Sequence, residues 1–217
     1  MKIIILLGKS GCGKGTQAEL LKKKFSLDYI GSGDLLRARA KKNDFTGKKL
    51  KKSLLSGKLI PTPVILKFWI DKVEALKSKK NIKGLLMDGN PRKILEAYFI
   101  DEALGWYDWD KNIKVFEINI SDKEAVFRLT KRRICINCKE IIPYVGEFKK
   151  LAKCNKCGGK LVKRSDDTVK SAKNRLAWFK KEVHPIINYY KKSGRLIKIN
   201  GEQPIEDVFK DILKLLK

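Results

Sequence analysis

The chain has 217 residues, 43% of them hydrophobic, which is enough to bury one sizeable core with inserts. No apolar run reaches membrane-spanning length, and residues 2–7 pass at once into Gly-Lys-Ser-Gly, so neither a membrane anchor nor a signal peptide is expected and a cytoplasmic location follows. The formal charge of +26, from 50 Lys+Arg against 24 Asp+Glu, suits anionic partners, but the lysines are spread along the whole chain and form no dedicated nucleic-acid arm.

Lys2–Leu7 is a continuous apolar run and reads as a buried parallel strand. The glycine-rich stretch Gly8-Lys9-Ser10-Gly11-Cys12-Gly13-Lys14-Gly15-Thr16 follows, and from Thr16 to Phe25 the apolar residues recur at helical spacing. Strand, glycine turn and helix are the setting of a phosphate-binding loop. Its backbone N–H groups converge on an anion, the helix start adds its positive end, and Lys14 adds a full charge. Gly15 stands where such loops often carry the metal-binding hydroxyl, and Thr16 comes one residue later. Cys12 reads as a small filler, with an oxidisable thiol as the alternative.

A short strand is expected at 27–30, then a helix capped by Asp34 and a basic helix over 48–55 ended by Ser56-Gly57. Residues 31 to about 62 therefore read as a small helical insert. Thr62-Pro63 opens a longer helix. Gly84–Asp88 is a buried strand that ends in a carboxylate, the place where phosphate-loop proteins orient a metal ion or its waters. A helix over about 92–104, a strand over 113–120 and a helix opened by the capping box Ser121–Glu124 come next. A long helix over 167–192, kinked by Pro185, a strand over 195–199 and a closing amphipathic helix over 204–217 complete the chain. His184, the only histidine, lies away from every motif and reads as structural. Five strands alternating with helices predict an α/β fold with a parallel sheet covered on both faces.

Residues 134 to about 163 interrupt that rhythm with Cys135-x2-Cys138-x15-Cys154-x2-Cys157. This is the spacing of a zinc ribbon, and four thiolates make a closed, structural tetrahedral site. Zn2+ is expected there, with iron as an occasional substitute, and the metal would supply most of the segment's folding energy.

Taken together, the motifs resemble the adenylate kinase family, in its form with a zinc-binding lid. The matching stretches are Gly-Cys-Gly-Lys-Gly-Thr-Gln (11–17), Gly-Ser-Gly-Asp-Leu-Leu-Arg (31–37), Asp-Gly-Asn-Pro-Arg (88–92), Arg132-Arg133-Ile134-Cys135, Arg164-Ser165-Asp166-Asp167 and Arg175-Leu176. The resemblance implies a P-loop core over 1–30, 61–130 and 168–217, a monophosphate-binding insert over 31–60 and a lid over 131–167. It implies transfer of a phosphoryl group from Mg-ATP to AMP, giving two ADP, by a monomer.

By the same resemblance Lys14, Arg92, Arg132, Arg164 and Arg175 carry the catalysis. Gly11, Cys12, Gly13, Lys14, Gly15, Thr16, Arg128, Arg132, Ile141, Ile142 and Gln203 bind ATP, with Arg128 stacked on the adenine and the Gln203 carbonyl accepting from its amino group. Ser32, Arg37, Lys58, Leu59, Ile60, Gly89, Asn90, Pro91, Arg92, Glu96, Arg164 and Arg175 bind AMP, and Asp88, Asp166 and Asp167 anchor the Mg2+ waters. Four positions depart from the family pattern: Ser10 for proline, Ser32 for threonine, Asn90 for phenylalanine and Glu96 for glutamine. An ionised glutamate only accepts hydrogen bonds, which suits guanine better than adenine, so GMP is the alternative acceptor. If Glu96 turns to solvent instead, or the match to the family slips there by one residue, AMP keeps its place. A third reading is a basic zinc-ribbon P-loop protein that binds RNA; the full set of phosphate-reading arginines argues against it.

Overall fold

The computed structural model describes residues 1–56, 58–164 and 167–216. Among the described residues it holds two sheets, one of five strands and one of three. The larger is the parallel sheet expected from the alternating pattern, with strand order β2-β3-β1-β4-β8. Its strands are β1 (Lys2–Leu7), β2 (Asp28–Gly31), β3 (Gly84–Asp88), β4 (Ile113–Asn119) and β8 (Leu196–Asn200). Ile3, Ile4, Ile5, Leu85, Leu86 and Met87 are fully buried, as strands of a sheet covered on both faces require. Along β1 and β3 the register runs from Lys2 opposite Gly84 to Leu6 opposite Asp88.

Tertiary contacts divide the chain into two compact units. The first comprises residues 1–7, 18–116 and 182–197, and the second residues 8–17, 117–181 and 198–217.

In the first unit, α2 (Ser32–Arg39), α3 (Phe45–Leu55) and α4 (Thr62–Lys77) share a core of Leu36, Leu50, Ile60 and Ile65. Helix α3 begins three residues before the expected Lys48. The Asp44 carboxylate accepts the Gly47 N–H at 2.7 Å and is itself held by Arg39, so a side-chain cap extends the helix across a glycine that lowers helix propensity. Asp34 is not the cap of α2. Gly31 occupies that position, and Asp34 lies in the first turn, paired with Arg37 at 2.7 Å. Helix α4 starts one residue early in the same way, with Pro61 at its cap and Pro63 in its first turn. Helix α5 (Ile94–Trp106) starts after Lys93, since Pro91 and Arg92 belong to the turn that follows β3.

The second unit holds the glycine-rich loop and the first turn of α1 (Lys14–Phe25), whose remainder belongs to the first unit. Helix α6 (Asp122–Lys131) opens on the expected cap, the Ser121 hydroxyl accepting the Glu124 N–H at 3.2 Å. Three short antiparallel strands, β5 (Arg133–Cys135), β6 (Ile141–Ile142) and β7 (Leu161–Lys163), surround the cysteines in the order β6-β5-β7. The expected long helix is three segments in succession. Helix α7 (Val169–Trp178) passes through a π-helical turn over Phe179–Val183 into α8 (His184–Lys192), which belongs to the first unit. Pro185 sits in the first turn of α8, where its missing N–H costs nothing, so the break lies before it. Helix α9 (Ile205–Lys214) closes the chain. No helix among the described residues is long and apolar enough to cross a membrane.

Candidate active site

The phosphate loop lies in the second unit. Gly8 has φ +142°, and a Cβ there would sit 2.5 Å from the Ile118 carbonyl oxygen and 2.7 Å from Cys12 Sγ, so only glycine fits. Lys9 fastens the loop: its Nζ donates to the Ile120 carbonyl at 2.6 Å and pairs with Asp122 at 2.7 Å. Lys180 also pairs with Asp122, and the two lysines hold that carboxyl below the usual range. Lys14 Nζ donates to the carbonyl oxygens of Gly8 (2.7 Å) and Lys9 (3.0 Å), folded over the loop it is expected to serve. Gln17 continues the motif with its Nε2 on the Ile205 carbonyl at 2.9 Å.

Asp167 gathers two of the expected catalytic arginines. Its side chain is 2% exposed; it accepts from Nε and Nη2 of Arg132, the latter at 2.8 Å, and from Nη1 of Arg175 at 3.0 Å. Both oxygens are thus engaged by guanidinium groups. Asp166 lies outside the described residues. Arg164 follows β7 directly, and its carbonyl accepts the Asp167 N–H at 3.1 Å.

Arg128 is 9% exposed, with Nε on Glu124 (2.6 Å) and Nη1 on the Gly201 carbonyl (2.9 Å). Its guanidinium holds the Gly201 backbone, two residues before Gln203. The Gln203 side chain is tied to Asp211 at 2.7 Å. On β6, Ile142 is buried with Cys135 and Cys154, and its neighbour Ile141 is exposed, as strand alternation requires. Of that pair only Ile141 has a face open to a ligand.

The four clustered thiols have sulfur atoms all within 4.8 Å of one another, with Cys135 to Cys157 at 3.5 Å and Cys138 to Cys154 at 3.6 Å. A zinc ion about 2.3 Å from each sulfur needs separations of about 3.8 Å, so the set fits a tetrahedral metal. Gly159 presses against the cluster: a Cβ there would lie 2.8 Å from Cys135 Sγ. Burial opposes ionisation of Cys135, but N–H groups from Cys138 and Asn137 and the neighbouring thiols draw it down to about 6. A site of this kind wants thiolates.

In the first unit an open volume of about 350 Å3 is walled by Leu36, Leu54, Ile60 and Ile65, with Ser32, Lys58, Arg92 and Glu96 as its polar groups. Leu59 lines it as well. Glu96 is 3% exposed, so it does not turn to solvent. Its Oε2 accepts the Arg92 N–H at 2.7 Å, and burial pushes the carboxyl up against the pull of that bond and of the Arg92 charge. Arg92 Nε donates to the Gly89 carbonyl at 2.9 Å. Burial acts against its guanidinium charge, and Glu96 and Asp88 support it. Asn90 is 1% exposed and preceding a cis Pro91; its side-chain oxygen meets the Ser32 hydroxyl, tying the start of α2 to the turn after β3. Asp88 accepts from the Tyr29 hydroxyl at 3.4 Å. Arg37 is exposed beside Asp34 and is not among the pocket-lining residues.

Residues 6–195 match the family model described as adenylate kinase. The chain belongs to the adenylate kinase family. It is 38% identical to an adenylate kinase of Caldicellulosiruptor bescii over 98% of each chain. It is 36% identical to an adenylate kinase of Archaeoglobus fulgidus, covering 99% of this chain and 97% of the relative. An adenylate kinase of Chlamydia muridarum is also 36% identical, over 98% of this chain and 86% of its own. As a member of the adenylate kinase family the protein is a nucleoside monophosphate kinase, a transferase that moves phosphoryl groups between nucleotides. Two features of this adenylate kinase chain were not legible as motifs: the anchoring of the loop through Lys9 and Asp122, and the holding of Arg132 by Asp167. The second pair is 35 residues apart, and no local periodicity links them. The Glu124–Arg128 pair, by contrast, has the i,i+4 spacing of a helix and could have been read.

Proposed function

We propose that the protein catalyses ATP + AMP to two ADP, with Mg2+ as the companion of ATP. The observation that carries this reading is the gathering of Arg132 and Arg175 on one buried carboxylate. Two guanidinium groups held on one buried carboxylate have a fixed direction. Phosphoryl transfer asks for that: charge spreads over the transferred group, and the protein supplies positioning and compensation.

In this reading the loop amides of Gly11–Thr16 and Lys14 hold the phosphates of ATP. Lys14 leaves the Gly8 and Lys9 carbonyls when phosphate arrives, exchanging two neutral acceptors for an anion. Arg128 holds the Gly201 carbonyl, and two residues on the Gln203 carbonyl accepts from the adenine amino group. Ile141 covers the base. Mg2+, when bound, would neutralise part of the phosphate charge, and Asp88 is the carboxylate that would hold its waters. Arg37 and Arg92 hold the phosphate of the monophosphate, and the apolar pocket of the first unit takes its base. Residues 131–167 act as the lid, with Zn2+ on the four cysteines giving it shape, and exclude water during transfer. The test is nucleoside diphosphate formation from Mg-ATP and AMP by the zinc-loaded protein. Two ADP per AMP consumed supports the reading, and ATP hydrolysis with AMP untouched overturns it.

A further inference from the structure

The pocket of the first unit is apolar on most of its wall, and among the described residues Glu96 is the only carboxyl group that lines it. We propose that Glu96 reads the edge of the acceptor base and selects between two purines by its protonation state, the carboxylate taking GMP and the protonated acid taking AMP. The inference rests on the assignment of this pocket to the acceptor base, and extends it to a second acceptor.

The chemistry follows from donor and acceptor counts. Guanine presents two N–H donors on its Watson–Crick edge, and adenine presents one donor, its amino group, beside one acceptor, its ring nitrogen. An ionised carboxylate has about four acceptor sites and no donor. The backbone N–H groups of Arg92 and Lys93 already act on Glu96, which of its roughly four acceptor sites leaves two for the guanine donors. Against adenine the same carboxylate meets a lone pair with a lone pair. Protonated, it donates to the ring nitrogen and accepts from the amino group.

The carboxyl is placed where this balance can shift. Burial favours its neutral form, while the Arg92 N–H, the Arg92 charge, the Lys93 charge and the Lys93 N–H favour the ionised one. Lys58 faces the pocket from the segment after α3, and Asp88 and Arg37 act on it through Arg92. The competing account is that Glu96, in the first turn of α5, only caps the turn by taking the Arg92 N–H. Glutamine would keep that bond through its amide oxygen, and so separates the two accounts.

The experiment measures kcat/KM for GMP and for AMP, with Mg-ATP, from about pH 5.5 to about pH 8.5, in the zinc-loaded protein and in Glu96→Gln, both shown to be folded by their melting curves. Ionisation of the monophosphate itself is common to both substrates and cancels in the ratio. The GMP/AMP ratio of the parent is expected to rise about tenfold or more across the range. In Glu96→Gln the ratio is expected to be flat with pH and shifted toward AMP by about tenfold or more at the alkaline end. A parent ratio that does not change with pH, or a ratio unmoved by the substitution, overturns the role of Glu96 and leaves the kinase reading standing. Failure of the folded protein to phosphorylate either monophosphate overturns the acceptor-pocket assignment itself, and this inference with it.

Discussion

Asp167 meets Arg132 in a two-point contact, Oδ2 with Nε and Oδ1 with Nη2, and the carboxylate is 2% exposed where the arginine is 16% exposed. Arg175 shares Oδ1 from the other side at 3.0 Å. The anion is buried and the cations reach the surface, so the carboxylate aims the guanidinium groups at whatever anion approaches.

Removing that carboxylate should cost both stability and rate. Asp167→Ala leaves two part-buried guanidinium groups facing each other and is expected to destabilise the protein by about 2–3 kcal/mol, between the ranges for exposed and for buried pairs. With the aim of both arginines lost, kcat is expected to fall about 100-fold while KM moves less. Denaturant melts and steady-state kinetics check the two effects separately.

Lys14 Nζ donates to the carbonyl oxygens of Gly8 and Lys9 and to Cys12 Sγ at 3.5 Å, all neutral acceptors. Lys14→Ala is therefore expected to change stability by no more than about 1 kcal/mol. It should lower kcat about 100- to 1,000-fold, the loss typical of a charge directed at a transition state. A melting curve that collapses along with activity would assign Lys14 to the fold.

Metal removal should act on one segment. Around the cysteines the core is small, Cys135, Ile142 and Cys154 with Phe148, Leu151 and Leu161 packed on it, too little to hold the strands alone. Chelation, or Cys138→Ser, is expected to erase hydrogen-exchange protection over residues 133–163 and leave it intact in β1 and β3. Elemental analysis should give one zinc per chain in the untreated protein.

The Glu96 carboxyl carries a stability signature of its own. Its value in the fold is raised above the ordinary 4.5, first by burial, so the native state binds the proton more tightly than the unfolded chain. Its contribution is complete below pH 4.5 and is lost as pH rises through the raised value. Glu96→Gln should thus gain stability relative to the parent as pH goes from acid to neutral. Melting temperatures of the pair across that range decide it; a difference that shrinks with rising pH contradicts the burial argument.

The parts of this chain that could be read in advance are those whose signal is local. The run Lys2–Leu7, the glycines and Lys14 declare a strand and a phosphate loop within sixteen residues, and the cysteine spacing declares its own geometry. Helix ends set by side chains were less legible: Asp44 caps α3 only because Arg39, five residues back, fixes its carboxylate. The turn between α7 and α8 leaves no proline or glycine in Phe179–Val183 to announce it. Roles that arise from long-range burial were least legible. Whether Glu96 faces water or a pocket depends on α2, α3 and α4 closing over it, and whether Asp167 serves a metal or two arginines depends on α7 bringing Arg175 to it.

The most direct measurement is phosphorus NMR of the zinc-loaded protein with Mg2+, ATP and AMP, run beside Lys14→Ala. The account predicts that ATP and AMP disappear together and ADP accumulates at two per pair consumed, with the variant slower by about 100-fold or more. ATP loss matched by inorganic phosphate, with AMP unchanged, would contradict it.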